Sequence, residues 1–447
     1  MDLPKVQGAP ATSDSSLNYQ PSLTDELVRV LYSLLFLVLL PVFALLLWRR
    51  KSASRCGADG ECWQRLGLKL KAPANSGWLF HCASVGEVVA ASGLINRLLA
   101  EDPQLSVTIT TMTPTGAARV KQLFNTRVQH VYLPFDLPFC MSRLVKIINP
   151  QRVVVTEVEF WPNLFHQCWR RKIPLYIVNG RMTEKSFVQC QRYRRLFLPA
   201  LKKTRAIGAQ AQRDYKNFLA LGLAPPQVQL TRNIKFDITL TEQDRSVIEE
   251  LRKKFNASNR PLILAGSTHE PEERVILDAF KIALTQFPNA LLIIAPRHPQ
   301  RFDDVFELCQ MSGLKVVKAS TGNVRADTQL LFIDTMGHLK NYYAFADIAF
   351  VGGSIAERGG HNPLEPCMHK VPVLMGPSQY NNPEICRLLY ECGALQIVNS
   401  SHDMARWLQK WLTSDWQRKT AGKRGGIVLD ANRGAVDANL RMIYETS

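Results

Sequence analysis

Acidic residues follow two predicted strands in the first half of the chain. Glu87 ends the segment HCASVGE, which comes directly after a predicted strand at 78–80, and Glu157 follows the hydrophobic run 153–156. A carboxylate held beside a glycine turn at the end of a strand can take a proton from a substrate hydroxyl. The spacing of Ser84 and Glu87 also fits a helix capping box, in which Glu87 would only accept a hydrogen bond from a backbone N–H. Both interpretations stay open on sequence alone.

Two cationic side chains could hold negative charge. Lys235 lies in the segment NIKFD, near the middle of the chain, and could reach a cleft between two domains, although an isolated lysine is more often a solvated surface residue. Arg297 follows Pro296 at the end of the predicted strand 291–295. A guanidinium can grip a phosphate through two parallel donors, which makes Arg297 a candidate phosphate ligand.

A glycine-rich string in the second half combines flexible backbone with a helix start. Gly352, Gly353 and Ser354 follow a predicted strand, and the segment RGGHNPLEP begins at Arg358. Exposed N–H groups at a helix start predicted at Pro363 can bind phosphate, and a carboxylate there can hold ribose hydroxyls. The candidate residues are Asn362, Pro363, Leu364 and Glu365.

Several motifs are missing from the sequence. It contains no G-x-x-x-x-G-K-[ST] and no G-x-G-x-x-G, which argues against an ATPase and an NAD enzyme. His269-Glu270 lacks the second histidine of H-E-x-x-H, no D-x-D occurs, and none of the ten cysteines forms a C-x-x-C pair. The sequence therefore predicts no metal site, and arginine and helix N-termini are expected to hold a leaving phosphate.

The elements that position these residues alternate between short β-branched runs and amphipathic stretches. This alternation predicts an α/β fold with parallel sheets covered on both faces. A polar passage at 237–260 separates two such series, so we expect two Rossmann-like domains, at 78–236 and 237–447. Because ligands bind at the carboxyl ends of such strands, the two sheets should face a central cleft that holds the main site.

Length and composition are those of a globular protein with two hydrophobic cores. The chain has 447 residues, of which 46% are hydrophobic and 21% charged, which excludes a disordered or collagenous protein. Lys and Arg number 55 against 38 Asp and Glu, a formal net charge of +17. Such a surface attracts nucleic acid, anionic lipid and phosphorylated substrates alike, so charge alone does not choose among them.

The N-terminal segment points to a membrane. Residues 31–48 carry no charge and are followed at once by Arg49, Arg50 and Lys51. We expect a disordered tail at 1–26, a transmembrane anchor at 27–48 and a basic membrane-proximal segment at 49–77, with the rest of the chain in the cytoplasm. A helix that lies in the membrane interface is the alternative.

Ordered motifs from Trp78 to Val398 resemble those of the 3-deoxy-D-manno-octulosonic acid (Kdo) transferases of lipopolysaccharide assembly. The matching segments are HCASVGE, TTMTPTGAARV, VQHVYLPFDLP, TEVEFWPNL, NGRMTEKS, NIKFD, AGSTHEPEE, PRHPQRF and VGGSIAERGGHNPLEP. The resemblance implies a GT-B fold, with an acceptor domain followed by a CMP-sugar donor domain. It implies inverting transfer of Kdo from CMP-Kdo onto the glucosamine disaccharide of a lipid A precursor (lipid IVA) in core biosynthesis. The implied location is the cytoplasmic face of the inner membrane. The implied partners are CMP-Kdo, the lipid A precursor and inner-membrane lipid, with no nucleic acid, no metal and no cofactor.

The resemblance also implies roles for individual residues. Glu87 matches the general base, and Glu157 and Lys235 match positions that stabilise the transition state. The residues that match CMP contacts are Pro296, Arg297, Met336, Gly337, His338, Asn362, Pro363, Leu364 and Glu365. The chain departs from the family pattern at three positions: His338 replaces Glu, Arg232 replaces Gly and Asn382 replaces Phe.

Two other functions remain as alternatives. The first is another GT-B enzyme, a transferase or epimerase that uses a uridine nucleotide sugar. The second is a catalytically inactive, membrane-tethered protein that binds anionic lipid.

Overall fold

The chain divides into two units. The computed structural model describes residues 19–53, 61–157, 159–255, 260–322 and 324–446. One unit is Met1–Asp237 with Gly434–Ser447, and the other is Ile238–Arg433. Each unit is built on its own parallel sheet, in agreement with the predicted α/β architecture.

The first unit contains a seven-stranded parallel sheet in the order β3-β2-β1-β4-β5-β6-β7. Its strands are β1 Trp78–His81, β2 Val107–Thr111, β3 Gln129–Tyr132, β4 Arg152–Thr156, β5 Leu175–Gly180, β6 Ala206–Ala209 and β7 Val228–Leu230. Its helices are α1 Leu23–Ala53, α2 Glu61–Arg65, α3 Val85–Glu101, α4 Pro114–Phe124, α5 Pro138–Ile148, α6 Pro162–Arg170, α7 Glu184–Arg192, α8 Arg194–Lys202 and α9 Gln212–Leu221. The central strands read as continuous apolar runs because helices cover both faces of the sheet.

The second unit repeats this plan with the order β10-β11-β9-β8-β12-β13-β14, again all parallel. Its strands are β8 Leu262–Thr268, β9 Leu291–Pro296, β10 Val316–Lys318, β11 Leu330–Phe332, β12 Ile348–Val351, β13 Val373–Met375 and β14 Leu395–Ile397. Its helices are α10 Glu242–Phe255, α11 Glu272–Leu284, α12 Phe302–Met311, α13 Leu339–Tyr342, α14 Leu364–Met368, α15 Pro383–Glu391, α16 Ser401–Thr413 and α17 Asp415–Ala431.

The last helix, α18 (Ala435–Glu445), packs on the first unit, although the sequence assigned all of 237–447 to the second domain. Its residues Leu440, Met442 and Ile443 are buried in the same core as strands of the first sheet. The Asp237 carboxylate accepts a hydrogen bond from the N–H of Gly434 at 2.7 Å. Burial of this apolar face therefore decides which unit the helix joins.

Helix α1 begins at Leu23, inside the predicted tail, and overlaps the predicted anchor at 27–48. Among the described residues, no helix combines the length and the hydropathy needed to cross a bilayer. One side of α1 is fixed to the first unit: Arg29 donates to Asn163 Oδ1 at 2.7 Å, and Glu26 pairs with Lys203 at 2.8 Å. Residues 1–18 and 54–60 lie outside the described part of the chain, as do the side chains at 42–53.

Candidate active site

The acidic candidates of the first unit leave neighbouring strands at the same edge of the sheet. Glu87 follows β1 and Glu157 follows β4. These strands are parallel neighbours, with His81 paired to Val155, although β2 and β3 lie between them in sequence. Chain order reverses at this point of the sheet, and such switch points are where open α/β sheets bind ligands.

The Glu87 carboxylate is buried and held by two hydrogen bonds. Oε1 accepts from Ser84 Oγ at 2.7 Å, Oε2 accepts from the N–H of Ala83 at 2.8 Å, and Ser84 caps helix α3. Burial raises the pKa of Glu87 to about 8, the nearby charges of Glu159 and Glu157 raise it as well, and the two hydrogen bonds oppose the rise. The capping contacts therefore exist, and they hold a carboxyl group whose pKa suits a general base near neutral pH.

Glu157 adopts a left-handed backbone conformation, with φ at +61°. Its N–H donates to the carbonyl oxygen of Val178 on β5 at 2.9 Å. A residue with a Cβ pays roughly 1–3 kcal/mol for an uncommon conformation of this kind, and the surrounding structure must enforce it. The backbone of Glu157 is therefore held in a strained conformation directly after β4.

Lys235 is half-buried in the short 3-10 turn Ile234–Asp237. Burial lowers the pKa of Lys235, the charges of Glu157 and Glu87 raise it, and that of Arg181 lowers it. Lys235 therefore lies within electrostatic reach of both acids and is not a solvated surface lysine. The structure brings Glu87, Glu157 and Lys235 into one group.

Sequence reasoning missed two members of this neighbourhood. Arg181 directly follows β5, and its position after a buried strand in the segment NGRMTEKS was the available signal. His81 ends β1 and is fully buried: Nδ1 hydrogen bonds with Thr110 Oγ1 at 3.0 Å, and the ring packs edge-on against Trp161. Burial lowers the pKa of His81 to about 3, so its ring is neutral near pH 7.

In the second unit, Pro296 ends β9 and Arg297 follows it, with its N–H bonded to the carbonyl oxygen of Thr268 at 3.1 Å. Arg297 thus lies beside the end of the neighbouring strand β8. Three histidines that sequence reasoning did not propose as ligands lie around it: His269, His298 and His361. This edge of the second sheet is therefore rich in cationic and imidazole side chains.

The glycine loop after β12 binds a carboxylate of the chain itself. The fully buried Glu272 accepts hydrogen bonds from the N–H groups of residues 353, 354, 355 and 356 at 2.8–3.3 Å. It also accepts from the N–H of His269 at 2.9 Å. The N–H groups of Gly353 and Ser354 therefore already have an acceptor, the Glu272 carboxylate. These bonds hold the loop in a rigid conformation.

The predicted nucleotide-binding residues follow this loop. Asn362 Oδ1 accepts from the N–H of Leu364 at 3.1 Å, and Pro363 precedes the first residue of α14. Glu365 lies in the first turn of α14, and its charge contributes to the raised pKa of the buried Tyr343. The helix has only five residues, so its macrodipole is short.

The residues Met336, Gly337 and His338 form an exposed turn between β11 and α13. Gly337 has a φ of +102°, and the carbonyl oxygen of His338 accepts from the N–H of Asn341 at 2.9 Å. The exposed side chain of His338 makes no capping hydrogen bond to α13.

The other two departures from the family pattern are Arg232 and Asn382, and the structure shows the backbone or hydrogen bond at each. Arg232 has a φ of +66°, a conformation that glycine adopts more freely than residues with a Cβ, in line with the Gly that the resemblance implies at this position. Asn382 donates through Nδ2 to the carbonyl oxygen of His361 at 3.2 Å, a bond that Phe could not make. Within the described ranges, no group of three or more His, Cys, Asp or Glu side chains is arranged to hold a metal ion.

Comparisons with known proteins identify the family. A profile of the family described as 3-Deoxy-D-manno-octulosonic-acid transferase (kdotransferase) matches residues 61–238. A 3-deoxy-D-manno-octulosonic acid transferase of Haemophilus influenzae is 37% identical over 398 residues, covering 89% of this chain and 91% of that protein. The enzyme of the same name from Bordetella pertussis is 30% identical over 427 residues, covering 92% of this chain and 98% of that protein.

A solved structure of another protein has a similar fold. The UDP-GlcNAc 2-epimerase of Neisseria meningitidis, bound to UDP-GlcNAc, superposes with a TM-score of 0.57 at 14% identity, covering 84% of this chain and 100% of that chain. At this identity the likeness shows the fold alone. It agrees with the predicted α/β class of GT-B type with two Rossmann-like domains. The full-length similarity to two Kdo transferases confirms the family and the enzyme class: the chain belongs to the 3-deoxy-D-manno-octulosonic acid transferase family and is a Kdo glycosyltransferase of lipopolysaccharide core biosynthesis.

Proposed function

We propose that this enzyme transfers Kdo from CMP-Kdo to a hydroxyl of the glucosamine disaccharide of a lipid A precursor, with inversion at the anomeric carbon. Glu87 takes the proton of the acceptor hydroxyl as the acceptor oxygen bonds to the anomeric carbon. The bond between that carbon and the phosphate oxygen breaks, and CMP leaves with the electron pair. The observation that carries the proposal is the buried Glu87 carboxyl group, whose pKa is raised to about 8 at the switch point of the first sheet.

Electrostatics around Glu87 supports this step. Positive charge develops at the anomeric centre as CMP departs, and carboxylates such as Glu157 stabilise it. Lys235 lies within electrostatic reach of both acids, whose charges raise the pKa of Lys235 against the effect of burial. Glu157 and Lys235 thus set the charge of the site, and Glu87 moves the proton.

The second unit supplies the donor-binding residues in this proposal. Arg297, next to Pro296, holds the CMP phosphate. Residues 362–365 and the turn 336–338 hold the nucleoside, with Glu365 as the ribose ligand. CMP-Kdo is a substrate, and the reaction as proposed uses no metal or other cofactor.

A lipid acceptor requires a membrane-facing surface, and the exposed apolar side chains of α1 make this helix the candidate. Among the described side chains of α1, the leucines and valines with at least 40% of their surface exposed are Leu23, Leu27, Val30, Leu31, Leu34, Leu35, Leu37, Val38 and Leu39. A cavity of about 840 Å³ is lined by α1, the end of α7 and α8. It is lined both by leucines of α1 and by four cations, Arg192, Arg194, Arg195 and Lys202. An apolar wall beside a cationic rim fits the acyl chains and phosphates of an anionic lipid, so we propose that this face contacts the cytoplasmic leaflet of the inner membrane.

The test is transfer by the purified full chain. Incubation with CMP-Kdo and a tetraacylated lipid A precursor should give a product heavier by whole Kdo units in mass spectrometry. Glu87→Gln should remain folded and lose transfer by about 10²–10⁴-fold, the usual contribution of a general base. Binding of UDP but not CMP would contradict the proposed donor and favour a uridine nucleotide sugar. A folded, CMP-binding protein without transfer would contradict the proposed acceptor.

Membrane contact has its own test. Replacement of Leu34, Leu35 and Val38 by Gln should reduce co-sedimentation with vesicles of phosphatidylethanolamine and phosphatidylglycerol by at least tenfold. Gln at Ile427, an exposed apolar residue of the second unit, is the control and should have no effect. Equal sedimentation of the triple variant and the control would refute the role of α1.

A further inference from the structure

Three histidines of the second unit meet at the carboxyl edge of its sheet. His269 follows β8, His298 follows β9 and its Arg297, and His361 ends the glycine loop after β12. Nε2 of His269 and Nε2 of His361 lie 3.0 Å apart, and their rings are nearly parallel, with centroids 5.2 Å apart and 5° between the planes. His298 packs edge-on against His269, with centroids 5.2 Å apart. Because β9, β8 and β12 are neighbours in the sheet, the backbone fixes this cluster.

The contact between the two ring nitrogens limits how many protons the pair can hold. One Nε2 must donate and the other must accept, so the neutral pair has one N–H between the rings. If one ring takes up a second proton at Nδ1, it becomes an imidazolium and still donates through Nε2. If both rings became imidazolium ions, two N–H groups would face each other. The His269–His361 pair can therefore gain one proton and keep its hydrogen bond.

The surroundings of the rings are mainly cationic. Burial lowers the pKa of His269 to about 4 and that of His361 to about 3, and nearby positive charges lower both further. The charged groups around the three rings are Arg297, Arg301, Arg358, Glu270, Glu272 and Glu273. Glu273 is paired with Arg301 at 2.8 Å, and Glu272 accepts five backbone N–H groups. An anion bound beside the rings would offset the remaining positive charge and favour protonation.

We propose that His269, His298 and His361 form, with Arg297, the site for the donor phosphate, and that the His269–His361 pair takes up one proton when this anion binds. The inference rests on the proposed function, because it assumes a cytidylate donor. It also bears on the leaving group: the phosphodiester carries one negative charge, and the departing monoester approaches two. A protonated pair beside the phosphate would stabilise that added charge as the bond breaks.

The experiment uses the methyl phosphodiester of CMP, whose single negative charge does not titrate near neutral pH. Its Kd for the full chain is measured by calorimetry from pH 5.5 to 8.0. We expect Kd to fall by up to tenfold for each unit that the pH falls, since binding is linked to one proton. Repeating the titration in buffers of different ionisation enthalpy should give an uptake that approaches one proton per ligand.

Substitutions of the paired histidines test whether this pair takes up the proton. Glutamine can donate and accept hydrogen bonds but does not titrate, so His269→Gln and His361→Gln should each make Kd independent of pH. His402, on the exposed surface of α16, supplies the matched control, and His402→Gln should keep the wild-type slope. Retention of that slope in both cluster variants would overturn the assignment.

The wild-type measurement is decisive even if a variant fails to fold. Binding of the probe with a flat pH profile and no proton uptake would overturn this inference and leave the cytidylate donor intact. If neither the methyl ester nor CMP binds at any pH, the proposed function fails, and this inference fails with it.

Discussion

The pH dependence of transfer should shift when Ser84 is changed. Ser84 Oγ donates a hydrogen bond of 2.7 Å to the Glu87 carboxylate, which favours its ionised form. This bond opposes the burial that raises the pKa of Glu87 to about 8. Because Ser84→Ala removes the bond but keeps the buried surroundings, we expect the pKa of Glu87 to rise further.

The size of the shift follows from the strength of the bond. A hydrogen bond to a charged group contributes about 1.5–3 kcal/mol, and each pKa unit corresponds to about 1.4 kcal/mol. The pKa should therefore rise by about 1–2 units. A general base works only when it is deprotonated, so kcat at pH 7 should fall about 10- to 100-fold and recover at higher pH.

The assay is kcat from pH 6 to 10 at saturating donor and acceptor. Thr113→Ala is the matched control, because Thr113 caps α4 by accepting the N–H of Gly116 at 3.0 Å. Both variants lose a helix cap, at a cost of about 1 kcal/mol in the free energy of unfolding. Only Ser84→Ala should shift the pH profile. If the two profiles coincide with the wild type, or if Glu87→Gln keeps the wild-type profile, Glu87 is not the base.

Two further substitutions test one residue in each unit, Lys235 beside the acids and Glu272 beneath the glycine loop. Lys235→Met removes the cationic side chain that interacts with Glu157 and Glu87, so kcat should fall at least about tenfold; Lys216→Met, on the exposed face of α9, should leave kcat unchanged. Glu272→Gln replaces the buried carboxylate that accepts five N–H groups, and should lower the free energy of unfolding by about 2–3 kcal/mol in urea titration. The exposed Glu307→Gln should change stability by less than about 0.5 kcal/mol, and an equal effect of both would refute the role of Glu272.

The strands were predictable because parallel strands buried on both faces show up as apolar runs. The predicted strand 153–156 lies within β4, and the predicted strand 348–351 coincides with β12. The placement of α18 was not predictable. Its amphipathic pattern shows that it packs on something, but its assignment to the first unit involves a contact between Asp237 and Gly434, 197 residues apart.

The sequence alone could predict only those features of the site that lie within one segment of the chain. The capping-box spacing around Glu87 gave two alternatives, and the structure shows that the capping contacts and the raised pKa occur together. The histidine cluster depends on the order β9-β8-β12, which no local pattern reveals. The contacts of Glu272 with the glycine loop join residues more than 80 apart, so the sequence alone could not show that this loop already has an anion.

The proposals for the two units predict that kcat and KM for the donor respond to pH in the same direction. Below the pKa of Glu87, kcat should fall as the pH falls, because the base becomes protonated. Over the same range the donor should bind more tightly, because the His269–His361 pair gains its proton more easily. KM for CMP-Kdo should therefore fall together with kcat, and kcat/KM should change less with pH than kcat does. In His361→Gln, KM should lose its pH dependence, so kcat and kcat/KM should become equally steep. A wild-type KM that is constant across this range would refute the linkage, whatever the behaviour of kcat.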